Sequence, residues 1–531
     1  MSRRTRRAAQ GELAGALTSI AIGAAPAGVL RRFGPFVLFA GWLAVTLWFA
    51  LHHTFWRDEV RALTFATAGR DVVQMWRGMR GDSHPVLWYL LLRGGHALIG
   101  KMALPVIAYV IGAAAAALLV WRGPFSLLEK GVLLVTKFMV FEYVVMARNY
   151  GVSMLLMFAF AALYRRWRLK GPGLGIILFL LANTNVHSAL LAGALMWVWM
   201  YDVAREQGLR WQAPQRTVVL NGVILALGIA ACGLTVYPTI HDAIVAPPHS
   251  VGGYFAHLLN AGLEFPTFTY QEGHVPLFVV SALLLLSLLT FTDNLGRLSA
   301  AVMGFVGLFS LFYLVYGGAY RHGALLLAFF VTLVWIGRTD PARPPGAGLA
   351  RRVGGVALAL LIAMQAVSGL HYLYALTKLP TSRSRDFGAL IRQHPELRNA
   401  VVIADPDYLV EPLSYYAPNP VYLMRQQIPG PRVVYTRKAR LDLSLDDVLA
   451  QARSLNAQRG TPVLILLPHP LKLDAPLVVH EAYDWVFRTT PDEVRRFEAQ
   501  TTLLQRFGPA LTDETYAVYE FKGPSPAPPQ P

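Results

Sequence analysis

Long apolar runs recur through the first 376 residues of the chain and then stop. About 20 consecutive apolar residues form a helix long enough to cross the roughly 30 Å hydrocarbon core of a bilayer. We therefore predict a polytopic α-helical membrane protein with about eleven transmembrane helices. The predicted spans lie near residues 33–51, 103–121, 125–142, 150–164, 173–184, 187–201, 217–239, 275–292, 298–316, 323–336 and 353–376.

The positive charge is placed as membrane orientation requires. The formal net charge is +17, yet only 15% of the residues are charged. Short basic clusters alternate with loops that hold few basic residues, and this bias predicts a cytoplasmic N-terminus, an outer C-terminus and a multi-pass protein of the cell inner membrane. No basic strip interleaved with aromatic residues indicates nucleic-acid binding. The basic clusters are Arg165, Arg166, Arg168 and Lys170; Arg205, Arg210 and Arg216; Arg297; and Arg338, Arg343, Arg351 and Arg352.

The same pattern predicts four parts of the chain. Residues 1–32 form a cytoplasmic arm, although their composition also fits a signal peptide. Residues 33–376 form the transmembrane domain, with an outer loop at 52–101. Residues 377–523 alternate strand-like and helical segments, which predicts a periplasmic α/β domain, and we predict that the Pro-rich residues 524–531 are disordered.

Within the α/β domain, some segments are predicted individually. We expect a strand at Val433–Thr436 and a single helix at Pro491–Phe507.

The single cysteine of the chain, Cys232, excludes an intramolecular disulfide.

The first outer loop carries the strongest chemical signal. It opens with Trp56-Arg57-Asp58-Glu59, two adjacent carboxylates directly after a membrane exit, and His84-Pro85 begins a juxtamembrane helix later in the loop. Two further charges, Arg148 and Arg321, lie at tight outer connections, where the orientation bias disfavours them. A charge kept at the membrane edge against that bias is a functional candidate.

In this order of motifs, the chain resembles the GT-C superfamily of integral membrane glycosyltransferases, and most closely the branch of protein O-mannosyltransferases and the lipid A aminoarabinose transferase. The resemblance spans roughly residues 33–340. It departs from the family in having one proline after His84 where many relatives have two, and in lacking an acidic residue just before Arg148, Glu142 being the nearest. The later motifs are Met146-Ala147-Arg148-Asn149-Tyr150, Asn183-Thr184-Asn185-Val186-His187 and Tyr320-Arg321-His322.

The resemblance implies transfer of a sugar, with inversion, from a polyprenyl-phosphate donor to a periplasmic glycan, lipid or protein. A carboxylate can act as the general base, and the guanidinium fork matches phosphate geometry. No cofactor is certain, but Asp58 and Glu59 leave a divalent cation such as Mg²⁺ or Mn²⁺ open. The implied residues are Asp58 and Glu59 for catalysis; Arg148, Arg321 and His322 for the donor phosphate; and His84, Tyr150, His187 and Tyr320 for substrate contact.

Two other classes of function stay open. A transporter or flippase of a polyprenyl-linked glycan needs charges near the bilayer midplane, and Lys137 is the main candidate. A non-catalytic scaffold for the α/β domain predicts that Asp58, Arg148 and Arg321 lie far apart.

Structural, non-catalytic interpretations are also open for single residues. Asp58 and Glu59 suit a helix N-terminus, and Arg321 can extend its charge to the membrane surface. The histidine and carboxylate spacings of the outer loop from His241 to His274 match no tight metal pattern. Its aromatic residues and prolines equally suit a lid over a lipid-bound substrate, so we interpret the loop as substrate-contacting.

Overall fold

A computed structural model describes residues 27–79, 82, 84–237, 242–243, 251–265, 275–341, 348–521 and 523. The predicted disordered tail, most of the predicted arm and part of the loop from His241 to His274 lie outside these residues.

The first part of the chain is helical, as predicted, and is followed by a C-terminal region with sheets. The helices are α1 Ala27–His52, α2 Arg57–Ala66, α3 Val72–Met79, α4 Leu87–Ile99, α5 Ala103–Arg122, α6 Leu127–Leu134, α7 Tyr150–Trp167, α8 Gly173–Ala182, α9 Val186–Gln207, α10 Ala213–Val236, α11 Tyr254–Leu259, α12 Leu277–Ser287, α13 Leu295–Leu314, α14 Tyr320–Arg338 and α15 Leu349–Leu376.

Ten of the eleven predicted spans each coincide with one helical stretch, but these stretches differ in length. Within the described residues, seven helical stretches are long and apolar enough to cross a membrane. Helix α8 and the stretch from α12 to Phe291 are apolar but shorter. The predicted span at 125–142 is broken: α6 ends at Leu134, and a π-helical segment, Phe138–Glu142, follows.

Helices α4 and α5 form a hairpin, although together they read as one apolar stretch of 36 residues. A Cβ placed on Gly95 would lie 2.4 Å from Ile107 Cδ1. In a continuous helix, twelve residues rise about 18 Å, so the chain must reverse between them. Gly100, with φ +59°, lies at the reversal. This turn places α4 against α2, the helix that carries Asp58.

Helix α14 is the central helix of the membrane domain. Of its apolar window, 83% is buried, and Leu325, Phe329 and Leu333 are fully enclosed. It packs against α7 and α13. Because α14 is fixed along its length, Arg321 in its first turn has a well-defined position.

The C-terminal region begins after α15. Its main sheet has the order β1-β5-β9-β8, with β1 and β5 parallel and the other pairs antiparallel. A second sheet has the order β4-β7-β6, and β2 pairs with β3. The elements are α16 Ser384–Gln393, β1 Val401–Ala404, α17 Leu413–Tyr416, β2 Tyr422–Leu423, β3 Ile428–Pro429, β4 Asp442–Ser444, α18 Leu445–Arg459, β5 Val463–Leu467, β6 Val478–Ala482, β7 Trp485–Thr489, α19 Pro491–Glu498, β8 Thr502–Arg506 and β9 Ala517–Phe521.

Hydrophobic clusters cover both faces of the main sheet. Val402 and Leu464 face α16 and α17, whereas Val401 and Val463 face α18 and α19. The alternation follows from the two-residue period of a strand.

Two predicted elements of this region are wrong. Residues 433–436 form an irregular segment rather than a strand. The predicted helix Pro491–Phe507 ends at Glu498, and the remainder forms β8, because its backbone pairs with β9. Long-range pairing overrides local helix propensity there.

The contact between α15 and the broken helix gives a stability prediction. A Cβ on Gly369 would lie 2.1 Å from the backbone oxygen of Val135, so Gly369→Ala must push the two segments apart. We expect a lower midpoint of thermal unfolding in detergent, consistent with an overpacking cost of about 1–3 kcal/mol. Gly355→Ala is the control, since a Cβ at Gly355 meets nothing within 4 Å. Equal midpoints for the two variants would contradict this packing.

Candidate functional site

Helix α2 is anchored by Glu59. The Glu59 carboxylate accepts hydrogen bonds from the backbone N–H groups of Trp56 (3.2 Å) and Ala147 (2.6 Å). His53 Nε2 lies 3.0 and 2.9 Å from its two oxygens. Glu59 is fully buried and completes a capping box at the start of α2. Of the roles that the sequence left open for Glu59, this geometry matches the helix cap.

Asp58 faces two arginines. Successive residues of a helix point in directions about 100° apart, so Asp58 projects away from the partners of Glu59. Its Oδ2 accepts a hydrogen bond from Arg321 Nη2 at 2.7 Å and lies 3.7 Å from Arg148 Nη1. Arg148 also donates to the backbone oxygen of Asp58 at 2.5 Å. Three side chains from separate parts of the sequence therefore converge.

These side chains are partly open to their surroundings. Asp58 is 24% exposed, Arg321 18% and Arg148 9%. The guanidinium of Arg321 lies over the ring of Trp56, 5.3 Å from its centre. A ligand can thus reach both charges, while an aromatic face shields one side of Arg321 from water.

The arginines keep Asp58 ionised. Burial by itself would raise the pKa of Asp58, but the positive charges of Arg148 and Arg321, with Arg57 and Arg61 further away, lower the pKa to about 2. At neutral pH the carboxylate is therefore the negative partner of two positive groups.

A chain of polar contacts leads from Arg148 to the C-terminal region. Arg148 Nη2 lies 3.3 Å from His84 Nε2, and His84 Nδ1 lies 2.7 Å from the backbone oxygen of Asp82. Arg61 Nε donates to Asp82 at 2.7 Å, and Arg61 Nη1 donates to Glu411 at 2.5 Å. From the sequence, Arg61 is expected to touch lipid head groups or acceptor phosphates, and Glu411 lies in no motif. Their pairing was not predictable, because it joins residues 350 positions apart.

Aromatic side chains continue the site along α14 and α9. The rings of His187 and His322 stack with centres 4.7 Å apart, and the ring centre of Tyr150 lies 5.5 Å from that of His322. Tyr316 hydrogen bonds to His187 Nε2. His322 Nδ1 accepts a hydrogen bond from the backbone of Ala319 at 3.0 Å, which leaves its Nε2 for other contacts.

Among the described residues, the buried polar atoms without a hydrogen-bond partner include three nitrogens of this region: Trp56 Nε1, Arg321 Nε and His187 Nδ1. Buried polar groups are normally paired, and leaving one unpaired costs about 1–3 kcal/mol. A ligand with oxygen atoms would remove this cost. The positions of these atoms therefore support a ligand site between Trp56, Arg321 and the histidines.

Tyr320 is directed elsewhere. Its hydroxyl donates a hydrogen bond to Gln365, and Lys137 Nζ lies over its ring, 3.7 Å from the centre. Lys137 in turn lies 3.4 Å from Glu142. Glu142 is thus paired with Lys137, and Tyr320 shares this separate cluster rather than the contacts of Asp58.

The residues around Asp58 do not form a divalent-cation site. Within the part of the chain that the structure describes, no three His, Cys, Asp or Glu side chains are grouped to hold a metal ion. Asp58 faces two positive guanidinium groups, and both oxygens of Glu59 accept hydrogen bonds. We therefore assign no chemical step to a metal.

The C-terminal region packs directly on the start of α2 and on the residues just before it. Arg57 Nη1 lies 2.6 Å from Asp513 and 3.5 Å from Glu514, and its backbone N–H donates to Glu514 at 2.8 Å. The backbone N–H of Phe55 donates to the Tyr416 hydroxyl at 2.8 Å. The start of α2 is therefore held from both the membrane domain and the C-terminal region.

Comparison with known proteins gives the following. No protein-family model and no curated protein matches the sequence. Along most of its length, the chain is similar to two crystal structures of ArnT from Cupriavidus metallidurans. For the apo structure, the TM-score is 0.49, with 12% identity over 92% of this chain and 98% of that one. For the structure bound to undecaprenyl phosphate, the TM-score is 0.47, with 14% identity over 94% of this chain and 100% of that one.

The contact between Arg57 and Glu514 gives a pH prediction. Burial raises the pKa of Glu514 from 4.5 to about 8, although Arg57 opposes the shift. The stabilising contribution of this group is therefore complete below pH 4.5 and is lost as the pH rises through about 8. We expect Glu514→Gln to reduce the fall in the unfolding midpoint between about pH 6 and about pH 9.

The matched control for this measurement is Glu481→Gln, an exposed carboxylate of the same region. It should keep the wild-type pH dependence. The assignment to Glu514 would be refuted if Glu514→Gln unfolded with the same pH dependence as the wild type.

Proposed function

We propose that this protein is a membrane glycosyltransferase that moves a sugar from a polyprenyl-phosphate donor to a periplasmic glycan, lipid or protein, with inversion at the sugar. The observation that carries the proposal is the contact of one carboxylate, Asp58, with two guanidinium groups, Arg148 and Arg321. The motif resemblance supplies the reaction class, and the geometry supplies a role for each of these groups.

The two arginines provide the donor-phosphate site. A guanidinium presents parallel N–H donors that match two phosphate oxygens. Among the described residues, Arg321 Nε has no hydrogen-bond partner, and it lies beside the Nη2 that contacts Asp58. The Nε–H group can therefore donate a hydrogen bond to a second oxygen. The phosphodiester of the donor carries one negative charge and would replace Asp58 as the counter-ion of the arginines. His322 lies next in the chain and would contact the same phosphate through Nε2.

Donor binding prepares Asp58 for proton transfer. In the free protein the arginine charges lower the pKa of Asp58, which makes it a weak base. When a phosphate neutralises those charges, the pKa rises and the carboxylate becomes a better acceptor. A positioned general base contributes roughly 10²–10⁴-fold to the rate.

The transfer is then a single displacement. The oxygen of an acceptor hydroxyl attacks the anomeric carbon of the sugar on the face opposite the phosphate, and its proton passes to Asp58. The bond between the anomeric carbon and the phosphate oxygen breaks, and its electron pair stays on that oxygen. Arg148 and Arg321 stabilise the increased charge of the leaving polyprenyl phosphate, and one displacement gives inversion.

The aromatic side chains would hold the sugar. The ring of Tyr150 lies tilted against that of His322, which stacks on His187, and among the described residues His187 Nδ1 has no hydrogen-bond partner. We assign a sugar hydroxyl to this nitrogen and a contact with the donor or acceptor to His84, whose Nε2 borders Arg148.

The competing functions make different statements about the molecule. A scaffold predicts separation of Asp58, Arg148 and Arg321, whereas the three are in contact. A transporter is the second candidate, because Lys137 and Glu142 form a buried charge pair in the membrane domain. Transport returns the labelled donor chemically unchanged, so product analysis separates the two activities.

The first functional prediction concerns the base. Asp58→Asn keeps the side-chain size but cannot accept the proton at neutral pH. We expect transfer from a labelled polyprenyl-phosphate sugar to fall by about 10²-fold or more in membranes that contain the variant. Asp71→Asn, an exposed carboxylate of the same loop, should be active. Full activity of Asp58→Asn would rule out the mechanism.

The second functional prediction concerns the phosphate. Arg321→Lys keeps the charge but loses the fork of donors, so we expect about tenfold lower donor affinity in the same assay, the value of one good hydrogen bond to a charged group. Arg77→Lys, at an exposed position of the outer loop, is the control. An unchanged KM for the donor in Arg321→Lys would place the phosphate elsewhere.

A further inference from the structure

A cavity of about 430 Å³ lies between α6, α14 and α15. Arg338, at the C-terminal end of α14, lines it, whereas Arg321 and the Asp58 site lie at the N-terminal end of the same helix. A helix of this length rises about 27 Å. The cavity is therefore at the opposite end of the membrane domain from the proposed active site, and its volume is in the roughly 300–1,000 Å³ range of ligand pockets.

One part of the cavity is apolar and opens sideways. Its wall includes Val132, Val334 and Leu358. Leu128, which is 77% exposed, and the exposed Ala359 also line it. Exposed apolar residues on membrane helices face the acyl chains, so the opening gives access from the lipid.

The other part of the cavity is charged. Arg297, Arg338 and Arg351 line it together with Glu129 and Asp293. Glu129 pairs with Arg338 at 2.5 Å. Asp293 is shared by two arginines, at 3.4 Å from Arg297 and 3.2 Å from Arg351. Asp340 also pairs with Arg297 at 3.2 Å and lies 4.0 Å from Arg165. Among the described residues, these ion pairs join four arginines to three carboxylates, which leaves a surplus of one positive charge.

One further atom supports a ligand with oxygen atoms. In the cavity wall, the buried Oγ1 of Thr290 has no hydrogen-bond partner among the described residues. An oxygen-rich head group would provide one.

We propose that this cavity binds a membrane lipid with a phosphate head group, with the phosphate at Arg351 and Arg338 and an acyl or isoprenoid chain along the wall formed by Val334 and Leu358. A single phosphate charge balances the lining, and basic pockets between membrane helices suit such head groups. The site is separate from the Asp58 site and does not depend on the proposed reaction. Either a bilayer phospholipid or a polyprenyl phosphate has this chemistry.

Two variants test the site in different ways. Arg351→Gln removes the surplus charge and leaves Asp293 paired with Arg297. Gly355→Leu fills the cavity: Gly355 lines it, and a Cβ there meets nothing within 4 Å. The controls are Arg352→Gln, an exposed arginine of the same turn, and Gly41→Leu, a glycine of α1 with equally open surroundings.

The measurement is native mass spectrometry of the full-length protein in detergent, titrated separately with phosphatidylglycerol, undecaprenyl phosphate and diacylglycerol. We expect one tightly bound phosphate lipid, with affinity about tenfold lower in Arg351→Gln and Gly355→Leu and unchanged in the two controls. The lipid whose binding these variants reduce identifies the source.

Two results would overturn the proposal. One is phosphate-lipid binding that is the same in both cavity variants as in their controls, including binding that falls only with Arg321→Lys and so belongs to the Asp58 site. The other is diacylglycerol binding as tight as that of phosphatidylglycerol, which would show that the arginines recognise no phosphate.

Discussion

Two guanidinium groups and one carboxylate meet at one end of the membrane domain, and this charge arrangement determines what the site can do. Among the described residues, the two arginines share the carboxylate of Asp58, so the free site has a surplus of positive charge, and three buried nitrogens nearby have no hydrogen-bond partner. Such an arrangement favours an anion with several oxygens. In the proposed reaction, a donor phosphate would pair with the arginines and at the same time release the carboxylate to act as a base.

The fold brings these charges together by fixing each one separately. Arg321 lies in the first turn of α14, the most buried of the seven long apolar helices among the described residues. Glu59 binds the start of α2 to Ala147, the residue before Arg148. The C-terminal region then holds α2 from outside through Glu411 and Glu514. A displacement of this region would therefore alter the contact between Asp58 and its arginines, which gives the α/β region a positioning role.

Sequence periodicity predicted the helical membrane domain well, because apolar length is a local property. The convergence of Asp58, Arg148 and Arg321 was also predictable, since the charge bias placed all three at outer connections. What could not be predicted depends on long-range contacts: the partnership of Arg61 with Glu411, the reversal at Gly100 and the strand after Glu498. Asp58 and Glu59 point in different directions because they follow each other in a helix. Only the position of Ala147 shows that Glu59 is the carboxylate that anchors the helix.

The most direct test of the central claim is a cryo-electron microscopy structure of the full-length protein in lipid nanodiscs with an added polyprenyl phosphate. The account predicts phosphate density within hydrogen-bond distance of Arg148 and Arg321, with the carboxylate of Asp58 moved away from Arg321. Phosphate density elsewhere, with Asp58 still bonded to Arg321 as in the free protein, would contradict it.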